Sequence, residues 1–394
     1  MSFKVGVLGG LGLMAEAALY DLARRPEVSE IVAADLHLAR KEAVLSKIPN
    51  RRKIRVASVD LTRTAKAAKA MRGVQVLINA AWYEFNLKAM DLALALRAHY
   101  LDLGGLYHMT LRQLKRDREF SKAGLLGLLG CGSTPGITNM MVARMSKAFD
   151  RIDTVSIFDA SYDPASAQSE FLPPFSIRTM LDEYLMPAWV LEKGRIIEIP
   201  AHSRPEPLEF RRPIGKCSAG AVIHSEAATL PGYLRRKGVR SLAFKIAYPD
   251  AVKAQLALLA SMGFSKNTPL RVNGSSISPR GFITSLAQQG AAAAPPGRPA
   301  DLDVLRVRMH GRRSRSPLTL EWDCEILPTQ TLSAGAVGVG FTASIAAQMI
   351  VAGKTQRGAG ICGPESGLRV EPFFAELAAR KTFKLLERTE APLL

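Results

Sequence analysis

The feature that most constrains the fold is the alternation of short apolar runs with amphipathic stretches over the first 130 residues. Runs with the length of buried strands occur at residues 4–8, 30–36, 54–61, 74–81, 100–103 and 125–129, and helical patterns occur at 13–25, 87–98 and 111–123. Strands that are apolar on both faces and alternate with helices form a parallel sheet covered on each side. Because such crossovers are right-handed, we predict a doubly wound α/β domain of the Rossmann type.

The pattern changes after residue 130. Strand-like runs joined by longer polar connections occur at residues 153–160, 208–211, 241–247, 269–272, 304–310 and 318–326. They predict a second, α+β domain built on a mixed or antiparallel sheet. We therefore assign residues 1–130 to the Rossmann domain, 131–340 to a substrate-binding and oligomerisation domain, and 341–394 to a helical segment that packs back on the Rossmann domain.

Composition excludes several classes of protein. With 394 residues and 47% hydrophobic residues, the chain has material for a large core and is not disordered as a whole. Its 4 cysteines are far apart and show no CxxC spacing, which argues against a disulfide scaffold and against a cysteine metal site. A secretory segment has no room before the first predicted strand. We expect a cytoplasmic protein without a bound metal.

The net charge of +18 raises the question of an anionic partner. The basic residues are scattered, and neither interleaved aromatic residues nor zinc-finger or helix-turn-helix spacing accompanies them, so we expect no nucleic-acid partner. The charge-free run at residues 334–353 is rich in glycine and alanine and contains Thr342, Ser344 and Gln348. We interpret it as a buried strand followed by a packed helix, and expect no membrane partner.

A glycine-rich turn joins the first predicted strand to the first helix. Residues 9–15 have G-x-x-G-x-x-A spacing, one residue longer than the G-x-G-x-x-G dinucleotide fingerprint. Glycine lets the backbone turn tightly and approach a diphosphate held by the amides of a helix N-terminus. This spacing predicts a cofactor site made by Gly9, Leu11, Gly12, Leu13 and Met14. The alternative is a glycine turn without a ligand.

Residues at the ends of later strands extend this predicted site. Asp35 closes the second strand, where an acid binds the ribose hydroxyls, which favours NAD; Arg40 nearby keeps NADP possible. Asp60 is assigned either to the adenine side or to capping of the next helix. The fourth strand ends at the carboxyl edge, where ligands bind in such sheets, and there we assign to the cofactor Asn79, Ala80, Ala81 and Tyr83.

Several motifs together resemble the saccharopine dehydrogenase family, namely residues 9–15, 34–35, 77–81, 102–105 and 132–136. The resemblance covers nearly the whole chain and is greatest to the bacterial lysine 6-dehydrogenases of that family. It implies a homodimer or higher oligomer and hydride transfer between NAD(P) and a CH–NH carbon of an amine or amino acid. Two alternatives stay open: a saccharopine- or carboxynorspermidine-type (opine-like) enzyme that makes or cleaves a secondary amine, and an NAD(P)-sensing regulatory protein.

The resemblance also implies substrate-site residues. Glu183 stands where the lysine enzymes have a histidine in a pocket helix and is a candidate base; the alternative is a solvated helix acid. His224, in an apolar run of the second domain, is a second candidate for proton transfer or else a core histidine. Ser133 is a further candidate, either near the nicotinamide or only as a cap of the following helix. Pro174 and Phe175 are assigned to an apolar wall, with ordinary core as the alternative for Phe175. Lys245 is assigned as the partner of a substrate carboxylate or of an internal acid.

Overall fold

The computed structural model describes residues 2–164, 176–293 and 298–390. Pro174 and Phe175, which the sequence assigns to the substrate pocket, lie outside these ranges. The described residues form two large sheets and a small two-stranded one, with helices around them.

The first sheet is parallel and seven-stranded. Its strands are β1 (Phe3–Leu8), β2 (Val28–Asp35), β3 (Ile54–Ser58), β4 (Val76–Asn79), β5 (His99–Asp102), β6 (Leu126–Leu128) and β17 (Gly360–Cys362). The helices near it in sequence are α1 (Leu13–Ala23), α2 (Lys41–Leu45), α3 (Thr64–Ala70), α4 (Asn86–Leu96), α5 (Leu106–Leu114), α6 (Asp117–Ala123) and α7 (Ile137–Met145). The strand order β17-β6-β5-β4-β1-β2-β3 confirms the predicted doubly wound fold.

The second sheet is mixed and nine-stranded. Its strands are β7 (Arg151–Tyr162), β8 (Ala188–Glu192), β9 (Arg195–Ile199), β10 (Glu206–Glu209), β11 (Lys216–Ala221), β12 (Ser241–Ala247), β15 (Leu302–Arg313), β16 (Ser316–Ile326) and β18 (Phe383–Glu390). Between its strands lie α8 (Ile177–Leu185), α9 (Glu226–Tyr233), α10 (Asp250–Ser261), the hairpin β13 (Leu270–Val272) and β14 (Ser275–Ile277), and α11 (Pro279–Ala293). The strand-like runs predicted at residues 304–310 and 318–326 lie in β15 and β16, which form a long antiparallel pair.

The register of the second sheet separates two faces with different roles. Asp159 of β7 lies beside Ile246 of β12 and opposite Leu305 of β15, so these three side chains share one face. That face joins the main hydrophobic core, which also contains Rossmann-domain residues. Phe158 lies beside Lys245, so both belong to the opposite, outer face. The inner face is the one that meets the nucleotide-binding half.

The C-terminal part of the chain contributes to both sheets. It contains α12 (Ala334–Val351), α13 (Pro364–Gly367) and α14 (Val370–Ala379) besides β17, which extends the parallel sheet, and β18, which pairs with β16. The run at 334–353 is one helix, so the expected strand within it is wrong. This helix is long and apolar enough to cross a membrane, but 83% of its 18 residues are buried in the fold. Its small residues let it approach α1 closely: a Cβ at Gly340 would lie 2.5 Å from the Ala18 nitrogen.

Candidate active site

The glycine turn between β1 and α1 is shaped for close approach of a ligand. Gly9 has φ of +63°, and a Cβ there would lie 2.8 Å from the carbonyl oxygen of Ala80, so the turn packs directly against the end of β4. Gly12 is the N-cap of α1, with φ −76° and ψ 164°, and the helix N-terminus receives no side-chain cap from the described residues. The amides of the first helical turn are therefore available to a diphosphate, and this half of the site fits a dinucleotide.

Asp35 ties the end of β2 to this turn. Its Oδ2 accepts a hydrogen bond from the Leu11 amide at 3.1 Å, and its Oδ1 accepts one from the His37 amide at 3.1 Å. Arg40 donates through Nη1 to the Leu11 carbonyl at 2.8 Å. The carboxylate of Asp35 and the guanidinium of Arg40 thus both bind the backbone of Leu11, at the position where the sequence predicts the cofactor ribose.

The other predicted cofactor residues have structural contacts. Asp60 Oδ1 accepts hydrogen bonds from the Thr62 amide at 2.8 Å and the Thr62 hydroxyl at 2.7 Å, which is an Asx turn ahead of α3. Asn79 is buried; its Nδ2 donates to Asn86 Oδ1 at 2.8 Å and its Oδ1 accepts from the Ala81 amide at 3.3 Å. These contacts fix the turns at the carboxyl edge.

A segment of the second domain reaches this carboxyl edge. It runs from the end of β11 into the first residue of α9 and contains Ser225 and Glu226. Ser225 Oγ accepts a hydrogen bond from the Gly105 amide at 3.2 Å, and Glu226 Oε1 accepts one from the Thr134 hydroxyl at 2.6 Å. Ser133, next to Thr134, is 9% exposed. The segment is therefore held against the loops that follow β5 and β6.

His224 and Glu226 form a buried pair within this segment. His224 Nδ1 is hydrogen-bonded to Glu226 Oε2, and the imidazole stacks on Phe244 with ring centroids 4.0 Å apart. Burial alone would lower the pKa of His224, but the charge and hydrogen bond of Glu226 outweigh it and raise that pKa. Burial likewise works to raise the pKa of Glu226, and the His224 charge lowers it. This pairing favours an imidazolium beside a carboxylate.

Glu183 faces the same cluster from α8. Its Oε2 accepts a hydrogen bond from the Tyr248 hydroxyl at 2.9 Å, and its side chain is buried. Burial raises the pKa of Glu183 to about 7, although the nearby charge of His224 opposes the shift. A carboxyl group with this pKa can exchange a proton near neutral pH. The structure thus brings together the two catalytic candidates from different elements.

Further acids of this cluster were missed by the sequence reasoning. We call the following set the cleft cluster: Asp159, Glu183, His224, Glu226, Tyr248 and Asp303. Burial raises the pKa of Asp159 to about 6, and the His224 charge opposes that rise. Signals for the missed residues were present: Glu226 follows His224 by two positions, and Asp159 interrupts an apolar face of β7 after Val155 and Ile157.

Two predicted site residues lie apart from the cleft cluster. Lys245 belongs to the outer face of the second sheet, where its Nζ lies 2.8 Å from Glu206 Oε2, so its partner is an internal acid. Tyr83 donates from its hydroxyl to Asp182 Oδ2 at 2.9 Å, and Asp182 Oδ1 lies 2.7 Å from Arg280 Nη1. Tyr83 therefore links the end of β4 to α8 and α11.

The described ranges contain no group of three or more His, Cys, Asp and Glu residues arranged to hold a metal ion.

Two family models match consecutive parts of the chain. Residues 5–128 match the model of the saccharopine dehydrogenase NADP binding domain, and residues 132–382 match that of the saccharopine dehydrogenase C-terminal domain. Carboxyaminopropylagmatine dehydrogenase of Synechocystis is 24% identical over 308 residues, 74% of each chain. Carboxynorspermidine synthase of Vibrio alginolyticus is 25% identical over 180 residues, 45% of this chain and 42% of that one.

Among solved structures, saccharopine dehydrogenase (L-Glu forming) from Saccharomyces cerevisiae superposes with a TM-score of 0.74 at 16% identity, over 99% of this chain and 100% of that one. This likeness extends the shared fold to both sheets. With family models matching both halves, the resemblance seen in the sequence is confirmed. The chain belongs to the saccharopine dehydrogenase family and is an NAD(P)-dependent dehydrogenase.

Proposed function

We propose that the protein makes or cleaves the C–N bond of a secondary amine in the manner of an opine-like dehydrogenase. In the reductive direction an amine and a carbonyl compound form an imine with loss of water; its carbon then receives a hydride and its nitrogen a proton. The oxidative direction reverses these steps. Two relatives are named for carboxyaminopropylagmatine and carboxynorspermidine, which supports a substrate of this class.

The cofactor half of the proposal rests on the glycine turn. The amides at the N-terminus of α1 would hold the diphosphate, and Asp35 and Arg40 would contact the ribose end. Bound NAD(P) supplies or accepts the hydride. Since Asp35 and Arg40 favour different coenzymes, both NAD and NADP remain in the proposal.

The observation that carries the proposal is the His224–Glu226 pair held against the carboxyl edge by Thr134 and Ser225. A protonated imidazole there can give its proton to the substrate nitrogen during reduction and take it back during oxidation. Glu226 keeps the ring oriented through Nδ1, which directs Nε2 away from Glu226. Glu183, with a pKa of about 7, can assist by exchanging a proton with water or with the amine.

The main rival is oxidation of a primary amine, as in a lysine 6-dehydrogenase. A panel of amines, alone and together with 2-oxo acids or aldehydes, distinguishes the two when nicotinamide absorbance and ammonia are both followed. We expect NADH or NADPH consumption that requires an amine and a carbonyl compound together, without ammonia release from lysine. Ammonia formed in step with NAD(P) reduction on lysine alone would favour the rival.

The proposal includes a cytoplasmic location, which cell fractionation checks. It also includes a homodimer, which light scattering of the purified protein checks. An NAD(P)-sensing regulator is the candidate from another class. It would bind NADH or NADPH tightly and turn over none of the amine and carbonyl pairs.

A further inference from the structure

An open cavity of about 660 Å³ lies where the C-terminal end of α1 meets the last part of the chain. Its walls come from the last turns of α1, from α12, from the segment after β16 and from the segment between α14 and β18. Four arginines line it, namely Arg24, Arg25, Arg298 and Arg380, and Asp21 is the one carboxylate among the described lining residues. Its volume lies within the range of small-molecule sites.

The carboxylate of Asp21 is already fully engaged. Its Oδ1 accepts a hydrogen bond from Arg25 Nη2, and its Oδ2 accepts one from Arg380 Nη2 at 3.1 Å. The same Oδ2 also accepts from Ser344 Oγ at 2.6 Å and from Gln348 Nε2 at 3.3 Å. Burial works to raise the pKa of Asp21, but the hydrogen bond of Arg25 and the charge of Arg380 outweigh it and lower that pKa. A single ionised carboxylate therefore faces four guanidinium groups.

Two of these arginines have no acidic partner. Arg24 and Arg298 are exposed and form no ion pair within residues 2–164, 176–293 and 298–390. Arg24 Nη1 donates to the Tyr20 hydroxyl at 3.1 Å, and its guanidinium carbon lies 5.4 Å from the centre of the Tyr20 ring. The cavity thus keeps an excess of positive charge at its rim.

Buried donors of the same lining residues also lack a partner. Arg380 is 8% exposed, and its Nη1 donates to Glu376 Oε2 at 2.6 Å, while Glu376 also binds Lys354 Nζ at 3.0 Å. Three buried atoms have no hydrogen-bond partner in the described part of the chain, namely Arg25 Nε, Arg380 Nε and Thr382 Oγ1. Because buried polar atoms are nearly always hydrogen-bonded, three such atoms around one arginine-lined cavity indicate a site for a ligand with acceptor oxygens.

We propose that this cavity binds a phosphate-bearing small molecule, at a site separate from that of the coenzyme. A phosphate monoester carries nearly two negative charges and three acceptor oxygens on one group, which suits several guanidinium groups better than the single charge of a carboxylate does. The rings of Tyr20 and Phe341, stacked with centroids 6.1 Å apart, line the same cavity and would contact the organic part of the ligand.

The two anion sites lie at opposite ends of one helix. Gly12, whose neighbouring amides we assign to the coenzyme diphosphate, is the N-cap of α1, and Arg24 is its C-cap. These positions are roughly 18 Å apart along the helix axis. A coenzyme bound at the first end therefore leaves the arginine cavity accessible, and the site is independent of the reaction proposed above.

Isothermal titration calorimetry with pyrophosphate tests the site on protein saturated with NADH, which occupies the coenzyme diphosphate site. We expect pyrophosphate still to bind at about 0.15 M salt, and its Kd to rise on the order of 10-fold in Arg24→Gln and in Arg298→Gln. Arg24→Lys should lose less, because it keeps the charge without the planar fork. Arg313→Gln is the matched control, since it removes the same charge from an exposed arginine at the turn between β15 and β16.

An equal rise of Kd in Arg313→Gln would show that only the net charge of +18 attracts the anion, and would overturn the proposal. Loss of pyrophosphate binding in the presence of NADH, or unchanged affinity in both Arg24→Gln and Arg298→Gln, would do the same. Tighter binding of citrate than of pyrophosphate would overturn the assignment to phosphate. A wild-type crystal soaked in tungstate should show an anomalous difference peak among the four arginines; peaks elsewhere without one in this cavity would contradict the site.

Discussion

Glu226 accepts a hydrogen bond from the Thr134 hydroxyl at 2.6 Å, and this contact crosses from the second domain to the loop that follows β6. The other oxygen of Glu226 holds His224 Nδ1. A single buried carboxylate therefore fixes both the protonation and the position of the imidazole relative to the nucleotide-binding edge.

Replacing Glu226 by Gln removes the charge that raises the pKa of His224, while the burial that lowers it remains. The limb of the pH–rate profile that reports His224 should move to lower pH, and kcat should fall by about 100-fold at neutral pH. Steady-state rates across pH measure both. Thr134→Val should shift the same limb less, since it removes one hydrogen bond. A Glu226→Gln profile with an unmoved limb would contradict this role.

Glu183 predicts a pH dependence of stability. Its pKa rises from 4.5 to about 7 in the fold, so the folded state binds this proton more tightly than the unfolded state does. The resulting stabilisation is complete below pH 4.5 and is lost as pH rises through about 7. As pH rises from 4.5 to above 7, wild type should therefore lose about 3 kcal/mol of unfolding free energy that Glu183→Gln does not lose.

Urea denaturation at several pH values measures this difference, with Asp250→Asn as an exposed control. Parallel curves for wild type and Glu183→Gln would show that the carboxyl of Glu183 titrates normally.

The Tyr83–Asp182–Arg280 connection predicts a graded loss of stability. Asp182→Asn leaves the guanidinium of Arg280 without its carboxylate in a site where Arg280 is 8% exposed, so the unfolding free energy should fall by about 3 kcal/mol. Tyr83→Phe removes one hydrogen bond and should cost about 1 kcal/mol. Chemical denaturation gives both values. Equal costs would show that the ion pair adds nothing beyond the tyrosine contact.

Asp35 predicts coenzyme preference. Its carboxylate accepts the Leu11 and His37 amides and lies at the predicted ribose position. Asp35→Ala should weaken NADH binding by about 10-fold and NADPH binding less, because a 2′-phosphate gains nothing from a nearby carboxylate. Arg40→Ala should weaken NADPH more than NADH. Fluorescence titrations with both coenzymes measure the ratio, and an unchanged ratio in Asp35→Ala would refute the assignment of this carboxylate.

The parallel sheet was predictable because mostly apolar runs of strand length alternate with helical patterns over the first 130 residues. Strand β17 was not, because Gly360–Cys362 is only 3 residues long and pairs with β6, far away in sequence. The run at 334–353 forms a single helix, Ala334–Val351, although glycine is a poor helix former. The absence of a side chain at Gly340 lets the helix pack closely on α1, and this packing outweighs the low helix propensity of glycine.

Site residues were predictable where residue type and local sequence indicate their chemistry. They were less predictable where strand pairing decides which side chains lie together. His224 and Glu183 were identified from residue type, context and family resemblance, and the fold brings them into one cluster. Lys245 was expected to meet either a substrate carboxylate or an internal acid; the alternation of β12 directs it to the outer face and to Glu206. Asp303 joins the cluster only through the pairing of β15 with β7, which no local pattern reveals.

The central claim is that the amides at the start of α1 hold the cofactor diphosphate, and Gly12→Asp tests it most directly. Gly12 has φ −76° and ψ 164°, a backbone that any residue adopts, although the new Cβ would lie 3.1 Å from the Gly9 oxygen. Aspartate is a preferred N-cap, so thermal unfolding should confirm a folded protein. Titration of NADH and NADPH into wild type and Gly12→Asp should show binding weakened by at least about 100-fold in the folded variant, because the carboxylate takes the amides and repels the diphosphate. Wild-type affinity for both coenzymes in that variant would contradict the account.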